Sequence, residues 1–357
     1  MGESGGSWER RESYCKGVNA LEGKIESTEP RSDAIGVLGS FPENEGNFRR
    51  LSDDYDSPLG IVPFIGAGIS IPLGFPGWRS FLLAQAKRVG LENSAQELLD
   101  LGKYEEAAEA LLSALKDQAF NDAIEDCFGD HVINRGSLTG PVLLIPRLAT
   151  GPVITTNFDH ALERAFEEAG QPFERVVWGA KADIIAKALT QNKRLLLKLH
   201  GDVDDRTERI LTASEYGKHY SKSRPLYQLL KRIFSIRPVL FLGCSLSSDR
   251  IVNVLTSIAR DSALASHYAI VEAPANEDHL RERARFLSEH RIRPLWYPQG
   301  RHDLIVTLLG QLVQQRSSES ATSPVSTIDL LPLSETQDTS PLLFNGGFHR
   351  ASVWSSF

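Results

Sequence analysis

IVPFIGAGISIPLGFPGWRS, residues 61–80, combines a short apolar run with a glycine-rich turn. A run of β-branched and aromatic residues such as 61–65 is typical of a strand buried in a parallel sheet. Glycines that follow such a strand permit a tight turn and the close approach of a ligand. A helix that begins after the turn presents free amides to an anion. The stretch therefore predicts either a phosphate cradle or an ordinary strand–helix turn.

The glycine spacing matches neither of the two common nucleotide-binding motifs. No Gly-Lys-Ser/Thr follows the turn, as a Walker loop requires, and Gly74 comes too late for a strict G-x-G-x-x-G. The stretch alone thus leaves both interpretations open, and the choice between them depends on the rest of the chain.

The composition is that of an ordinary globular protein. Of its 357 residues 41% are hydrophobic and 24% are charged, and the formal net charge is −7, which argues against a surface that coats nucleic acid. No apolar run approaches the roughly 18–20 residues of a membrane span, and the polar first residues lack the apolar core of a secretory signal. We expect a cytoplasmic protein with no membrane contact and no direct contact with nucleic acid.

The cysteines give no sign of a metal site. Cys15, Cys127 and Cys244 lie far apart, form no C-x-x-C pair and cannot supply a four-cysteine zinc site. A sparse, odd number of cysteines without an export signal fits a reducing compartment. We therefore expect no bound zinc or other metal.

The sequence pattern divides the chain into three parts. Residues 1–57, rich in Gly, Ser and charged side chains, predict a flexible extension, with a partner-binding arm as the alternative. Residues 58–315 form the folded domain, in which a helical insertion at about 79–148 separates the first strand from the second. Residues 316–357 are rich in Ser, Thr and Pro and predict an extended or disordered tail.

Apolar runs alternate with helical patterns through the folded part. This alternation predicts the α/β class, with a Rossmann-like parallel sheet, helices on both faces and a smaller helical inserted domain. Strands are expected at 61–65, 153–156, 176–178, 194–199, 239–242, 268–271 and 292–297. Later helices are expected at 213–220, 225–236, 249–263, 277–289 and 303–314.

Four of the expected strands end in polar or glycine-rich sequence. GAGIS follows the first strand, TTNFD the second, KLHGD the fourth and LGCSL the fifth. In open α/β sheets, ligands bind beyond the carboxyl ends of the strands, where the strand order reverses. The shared location of the four segments predicts a binding site more strongly than any one of them does.

Each polar residue at this edge also has a structural interpretation. His200 can accept a proton near neutral pH, yet a single histidine at a strand end is more often structural. Asn157 can orient a water or a sugar hydroxyl, or it can cap the following helix. Asp159 can accept from a carboxamide or serve as an acid in a first helical turn, and Ser245 can be a cap.

Taken together and in this order, the motifs resemble those of the sirtuin family. The resemblance rests on GAGIS with Gly74 and Pro76, T-x-N-x-D at 155–159, His200 with Gly201, and G-x-S-L at 243–246. It covers residues 58–312. It implies a Rossmann-like NAD-binding domain and attack at the nicotinamide–ribose bond.

The resemblance also implies a role for each matched residue. Asn157 would organise the nicotinamide ribose and the attacking water, Asp159 would contact the nicotinamide carboxamide, and His200 would be the general base. The phosphates of ADP-ribose would be held by Gly66, Ala67, Gly68 and Ser70. Further contacts with NAD⁺ are expected from Arg79, Thr155, Gly243 and Ser245.

Two departures from the sirtuin pattern refine the expected function. The paired C-x-x-C motifs of the sirtuin zinc module are missing, and Pro76-Gly77-Trp78-Arg79 keeps the arginine of the P-D-F-R motif without its acid. The zinc-free form is similar to the sirtuin-like effector domains of bacterial antiphage defence systems. Those domains hydrolyse NAD⁺, commonly form oligomers and work with a nucleic-acid-processing or ATPase partner.

Three functions are therefore weighed. The favoured one is an NAD⁺ hydrolase that depletes NAD⁺ in antiphage defence, with NAD⁺ as substrate, no zinc, a homo-oligomeric state and an ATPase, helicase or nucleic-acid-processing partner. The second is a non-catalytic regulatory subunit that binds NAD or ADP-ribose. A zinc-free protein deacylase ranks last, because deacylases of the family use the zinc lobe to bind peptides.

Overall fold

A parallel sheet lies at the centre of the protein and is covered by helices on both faces. The computed structural model describes residues 36–133, 136–179, 194–221, 224–246, 255 and 265–322, with the backbone alone for 316–322. Within these residues seven strands run in the order β3-β4-β2-β1-β5-β6-β7, which confirms the predicted α/β class. The strands are β1 (Val62–Ile65), β2 (Val153–Thr155), β3 (Arg175–Trp178), β4 (Leu195–Lys198), β5 (Val239–Leu242), β6 (His267–Glu272) and β7 (Ile292–Tyr297).

Helices connect the strands and extend beyond the last one. Two short 3₁₀ turns, Ala67–Ile69 and Ile71–Leu73, follow β1 directly, and the expected helix at 249–263 lies outside the described residues except for residue 255. The α-helices are α1 (Asn44–Asp56), α2 (Trp78–Arg88), α3 (Glu92–Asp100), α4 (Tyr104–Phe128), α5 (Asp130–Ile133), α6 (Ile145–Leu148), α7 (Ala161–Glu168), α8 (Ala213–His219), α9 (Pro225–Ile236), α10 (Glu277–Glu289) and α11 (Leu304–Thr322).

The first strand shows why the sheet strands are apolar throughout. Ile61 and Ile65 belong to the hydrophobic cluster on one side of the sheet. Val62 and Phe64 belong to a second cluster on the other side. Side chains alternate between the faces of a strand, and both faces of this sheet are covered. Polar residues are therefore confined to the strand ends.

Helix α1 covers the edge of the sheet that β7 forms. The buried side chain of Asn44 accepts a hydrogen bond from the N–H of Trp296 and donates one to its carbonyl, both at 2.9 Å. Asn47 donates to the carbonyl of Pro294 at 2.8 Å. Backbone groups on an uncovered edge strand would be free to pair with another chain. The two asparagines satisfy several of them internally.

The position of α1 corrects the expectation of a flexible extension for the part of residues 1–57 that the structure describes. Its residues Phe48, Leu51 and Tyr55 are buried against the core. Charged residues on the other face of α1 dominate the composition of this segment. The composition therefore predicted an extension although the helix has an apolar stripe. Residues 1–35 lie outside the described part of the chain. At the other end, α11 continues to Thr322, beyond the expected start of the tail at residue 316.

A helical insertion, α2 to α6, separates β1 from β2, and its described residues contain no strand. Its aromatic core includes Trp78 and Phe128, and Phe158 from the loop after β2 enters this core. The ring centroid of Phe158 lies 5.8 Å from that of Trp78 and 5.9 Å from that of Phe128. The insertion therefore packs directly on the loop that carries Asn157 and Asp159.

None of the helices in the described residues is both long enough and apolar enough to cross a lipid bilayer.

Candidate functional site

The loops after β1 and β5 meet at the carboxyl edge of the sheet. These two strands are neighbours, and the chain builds β2, β3 and β4 on one side of β1 before it returns to β5 on the other. Such a reversal of strand order opens the crevice in which α/β proteins bind ligands. The GAGIS and LGCSL segments both lie at this reversal, as the sequence predicted.

Contact between the two loops accounts for their glycines. A Cβ atom on Gly66 would lie 2.5 Å from the carbonyl oxygen of Gly243. A Cβ on Gly243 would lie 2.6 Å from the amide nitrogen of Ile69, and the φ angle of Gly243 is +66°. Side chains at either position would collide with backbone, and the left-handed conformation at Gly243 also favours glycine. Packing within the protein therefore requires these glycines, whatever the loop binds.

Four of the five backbone N–H groups of the loop 66–70, all but that of Ala67, are already hydrogen-bonded inside the protein. An amide cradle for phosphate needs free donors, so the roles of Gly66, Ala67, Gly68 and Ser70 in holding phosphates stay predictions. The donor and acceptor residues are Gly66 to Leu242 (2.8 Å), Gly68 to Gly243 (3.0 Å), Ile69 to Gly66 (3.2 Å) and Ser70 to Ala67 (3.0 Å).

Asn157 lies beside this loop and is only 7% exposed. Its Nδ2 donates to Ser70 Oγ at 3.0 Å and to the carbonyl of Gly66 at 3.3 Å. Thr155, also buried, holds the turn, because its hydroxyl donates to the carbonyl of Ile65 at 2.9 Å and accepts from the N–H of Asn157 at 3.0 Å. The structure thus brings Asn157, Ser70 and Gly66 together, as expected for one site.

The carbonyl oxygen of the Asn157 side chain has no hydrogen-bond partner among the described residues. This oxygen is buried, and a buried acceptor without a donor is unfavourable by about 1–3 kcal/mol. Native proteins leave few such groups, and those that remain call for an explanation. An unpaired acceptor held in place by two hydrogen bonds on the same amide can orient a water or a hydroxyl.

Asp159 is buried at the start of α7. Its Oδ1 accepts from the N–H of Ala161 at 3.0 Å, so the carboxyl satisfies a backbone donor at the helix start. Burial raises the pKa of Asp159, and the nearby charge of Lys198 opposes that rise. Asp159 precedes the helix, whose first-turn acid is Glu163, and its contact with nicotinamide stays a prediction.

His200 follows β4 and contacts an aromatic side chain. The hydroxyl of Tyr216 lies 2.8 Å from Nε2 and 3.1 Å from Nδ1 of the ring. Burial lowers the pKa of His200 to about 3, so the imidazole is neutral at pH 7. No hydrogen bond joins His200 to Asn157 within the described part of the chain. A neutral ring can accept a hydrogen bond from a substrate hydroxyl, but it is a weak base.

Two further predicted residues make other contacts. Arg79 lies on α2, where its guanidinium pairs with Asp100 of α3 at 2.5 Å. Ser245 is exposed, and its carbonyl accepts from Arg283 of α10. The described contacts do not bring either side chain to Asn157 or His200, so their contacts with NAD⁺ stay predictions.

Lys198, the last residue of β4, was missed by the sequence reading although its side chain is fully buried. Its Nζ donates to the carbonyls of Phe158 and Asp159 at 2.9 and 3.0 Å. It also pairs with Glu163 at 3.0 Å and with Asp202 at 2.6 Å. Lys198 thus ties the loop after β2 to the loop after β4. A lysine within the apolar run RLLLKL was the only sequence signal of this role.

His160 extends the same network towards the insertion. Its Nε2 lies 3.1 Å from Asp202 Oδ1, and its Nδ1 lies 2.7 Å from Asp130 of α5. Burial alone would lower the pKa of His160, but the hydrogen bond to Asp202 and the charges of Asp202 and Glu163 together outweigh it, and the pKa rises to about 9. Potential ligand atoms of His160, Asp202 and Asp204 lie within 4.8 Å of one another. The cations of Lys198 and protonated His160 already neutralise this group, which favours an ion-pair network over a metal site.

The raised pKa of His160 predicts a pH-dependent stability. In the unfolded chain the pKa of histidine is about 6.5, so the stabilisation by protonated His160 is complete below that pH. It is lost as the pH rises through about 9. Urea unfolding should show the free energy of unfolding falling between these values, by at most about 1.4 kcal/mol per pH unit. His160→Gln should reduce this fall, whereas the exposed His279→Gln should follow the wild type. Equal slopes in the wild type and His160→Gln would contradict the assignment.

Residues 152–295 match the family model of the SIR2-like domain. This part of the chain is therefore similar to SIR2-like domains. The matched residues include Asn157, Asp159 and His200. The GAGIS loop precedes them.

Curated relatives of the chain share part of its length. A protein of Bacillus cereus (strain MSX-D12) named NAD(+) hydrolase ThsA is 26% identical over 214 residues, which are 58% of this chain and 42% of that protein. A protein of the same name from Enterococcus faecium is 25% identical over 199 residues, 55% of this chain and 39% of that protein. The match therefore spans only about two fifths of the length of these relatives.

A solved structure described as "Structural Basis for the Mechanism and Regulation of Sir2 Enzymes" aligns with 76% of this chain and 98% of its own. The sequence identity is 15% and the TM-score is 0.38, values too low to carry an argument about this site.

Proposed function

We propose that the chain is an NAD⁺ hydrolase that converts NAD⁺ and water into ADP-ribose and nicotinamide. The observation that carries the proposal is the buried, unpaired side-chain oxygen of Asn157 at the carboxyl edge of the sheet. A water or a ribose hydroxyl would supply the donor that this oxygen lacks. The SIR2-like match and the two relatives named NAD(+) hydrolase support NAD⁺ as the substrate.

Hydrolysis of NAD⁺ requires the positioning of the water and the ribose more than strong acid or base catalysis. Nicotinamide is cationic in NAD⁺ and leaves with the electron pair of its bond to ribose C1′. Water adds to that carbon and releases one proton. Asn157 would orient the water through Oδ1, while the neutral ring of His200 would accept a hydrogen bond from a ribose hydroxyl. Preorganised dipoles of this kind stabilise the developing oxocarbenium ion without reorganising during the reaction.

A second function, the binding of NAD or ADP-ribose without turnover, is favoured by one observation. The pKa of His200 is lowered to about 3 by burial, and its ring nitrogens already face the Tyr216 hydroxyl. A general base works best when its pKa lies near the working pH. A regulatory subunit would need the pocket but not a strong base.

The biological role belongs to the same proposal. We infer an antiphage defence effector that depletes NAD⁺ in the cytoplasm when triggered, acts as a homo-oligomer, and works with an ATPase, helicase or other nucleic-acid-processing protein. The similarity to the ThsA proteins and the resemblance to sirtuin-like defence effectors support this role. The match covers only about two fifths of each relative. The comparison therefore gives no information on how those proteins are activated.

Incubation of the purified chain with NAD⁺ tests the two functions directly. Chromatography should show ADP-ribose and nicotinamide in equal amounts, and His200→Ala should reduce the rate by about 10²-fold, as expected for the loss of one preorganised polar group. His279→Ala replaces an exposed histidine on α10 and should behave as the wild type. Titration calorimetry measures NAD⁺ binding in parallel. Binding without products would support the regulatory subunit, and neither binding nor products would contradict both functions.

A further inference from the structure

The ring of His200 is held by a group of aromatic side chains. The ring centroids of His200 and Tyr216 are 5.1 Å apart and their planes meet at 75°. Tyr220 stacks on Tyr216 with centroids 5.3 Å apart, and its own ring lies 6.3 Å from that of His200. Because Tyr216 is only 8% exposed, its hydroxyl points at His200 from within the protein and not from solvent.

The start of α8 fixes where that hydroxyl lies. Thr212 accepts from the N–H of Glu215 at 3.4 Å, and the Glu215 carboxylate accepts from the N–H of Thr212 at 2.9 Å. This reciprocal arrangement is a capping box, which sets the first turn of a helix. The Glu215 carboxylate also accepts from the N–H of Leu211 at 2.8 Å. Tyr216 follows in the same turn, so its ring has little freedom to move away.

The backbone of His200 is fixed from the same side. Its carbonyl accepts from the N–H of Ile210 at 2.9 Å, two residues before the helix cap at Thr212. The His200 main chain and the Tyr216 hydroxyl therefore belong to one hydrogen-bonded unit. Within this unit the remaining freedom of His200 is the rotation of its ring and the choice of which nitrogen carries the proton.

We propose that Tyr216 is a positioning residue that holds the His200 ring in one orientation and one tautomer, ready to receive a ribose hydroxyl. The proposal rests on the NAD⁺ hydrolase function proposed above. The oxygen of a tyrosine hydroxyl can also accept a hydrogen bond, and here it would accept from the N–H of the neutral His200 ring. The other ring nitrogen then keeps its lone pair and can accept from the ribose hydroxyl. The hydrogen bond that one nitrogen makes decides the state of the other.

Tyr216→Phe tests the proposal, because it removes the hydroxyl and keeps the ring packing. In wild-type protein without NAD⁺, ¹⁵N NMR of the His200 side chain should show one tautomer; His200→Gln identifies its signals. In Tyr216→Phe the two tautomers should mix, because the acceptor that fixes the position of the ring proton is lost. With NAD⁺, kcat should fall about 3- to 10-fold while KM changes less than about twofold, as expected for one lost hydrogen bond.

Tyr227→Phe is the matched control. Tyr227 is buried in the same hydrophobic cluster, and its replacement should leave the His200 signals and kcat at wild-type values. Mixed tautomers in the wild type, unchanged His200 signals in Tyr216→Phe, or changed signals with unchanged kcat would each overturn the proposal. If Tyr216→Phe fails to fold, the wild-type spectrum still tests the proposal, because mixed tautomers in the wild type would overturn it. A wild type that binds NAD⁺ without forming ADP-ribose contradicts the hydrolase function alone, since the His200 signals still report whether Tyr216 holds the ring.

Discussion

Replacement of Lys198 by methionine should lower the free energy of unfolding by about 3–5 kcal/mol, the usual result of removing one partner from a buried ion pair. The variant keeps all but the last atom of the side-chain length and removes the charge. Glu163 and Asp202 would then lose their shared cation, and the carbonyls of Phe158 and Asp159 would lose a donor. Each of these groups is costly to leave unpaired away from water.

The protonation of Lys198 supports the size of this effect. Burial alone would lower the pKa of the ammonium group, but the charges of Glu163 and Asp202 raise it above its usual value. The side chain is therefore a full cation inside the protein, and methionine cannot replace its electrostatic contribution. The apolar stem of methionine can still fill the space, so a packing defect does not confuse the result.

Urea unfolding at pH 7 measures the change, with Lys87→Met as the control. Lys87 is exposed on α2, and its replacement should change the free energy of unfolding by less than about 0.5 kcal/mol. A loss below about 1 kcal/mol in Lys198→Met would show that the buried network contributes little. Since the network joins the loops that carry Asn157 and His200, NAD⁺ turnover should also fall in the variant.

Asn157→Ala should reduce the rate of NAD⁺ hydrolysis by about 10²- to 10³-fold, the usual cost of removing one preorganised polar group from a transition state. The substitution removes the unpaired Oδ1 that we assign to the attacking water. It also removes the hydrogen bonds from Nδ2 to Ser70 and to Gly66. Because the lost oxygen has no partner among the residues that the structure describes, stability should change much less than activity.

Asn276→Ala is the control that separates a loss of activity from a loss of stability. Asn276 caps α10, where its side chain accepts from the N–H groups of Asp278 and His279. Loss of such a cap costs about 1 kcal/mol of stability and should leave turnover unchanged. Initial rates of ADP-ribose formation, set beside urea unfolding of both variants, give the comparison. An Asn157→Ala variant that keeps more than about a third of the wild-type rate would remove Asn157 from the mechanism.

Local patterns in the sequence are sufficient to predict the sheet and the edge at which the site lies. Short apolar runs such as 61–65 and 239–242 can be buried on both faces only in a covered parallel sheet. The carboxyl ends of such strands share one edge, which is why Asn157 and Ser70, far apart in sequence, could be placed together in advance. The hydrogen bond between them is long-range in sequence but follows from topology.

Other parts of the site depend on contacts that no local pattern encodes. The partners of Lys198 come from α7 and from the loops after β2 and β4, so the reason for a charge inside an apolar strand appears only in three dimensions. Tyr216 faces His200 because a capping box starts α8 at one residue and not the next. Likewise, the sequence pattern places Asn44 in a polar extension, and its role appears only when the backbone of β7 is seen to be its hydrogen-bond partner.

The contact between Gly66 and Gly243 has a consequence for engineering and for evolution. Each glycine lacks a side chain because the backbone of the other loop occupies that space, so the β1 and β5 loops form one interlocked joint. Neither loop can be grafted alone from a related protein, and a chimera must exchange both together. A substitution in one loop becomes tolerable only after a compensating change in the other. The two segments are distant in the sequence, yet they must change together.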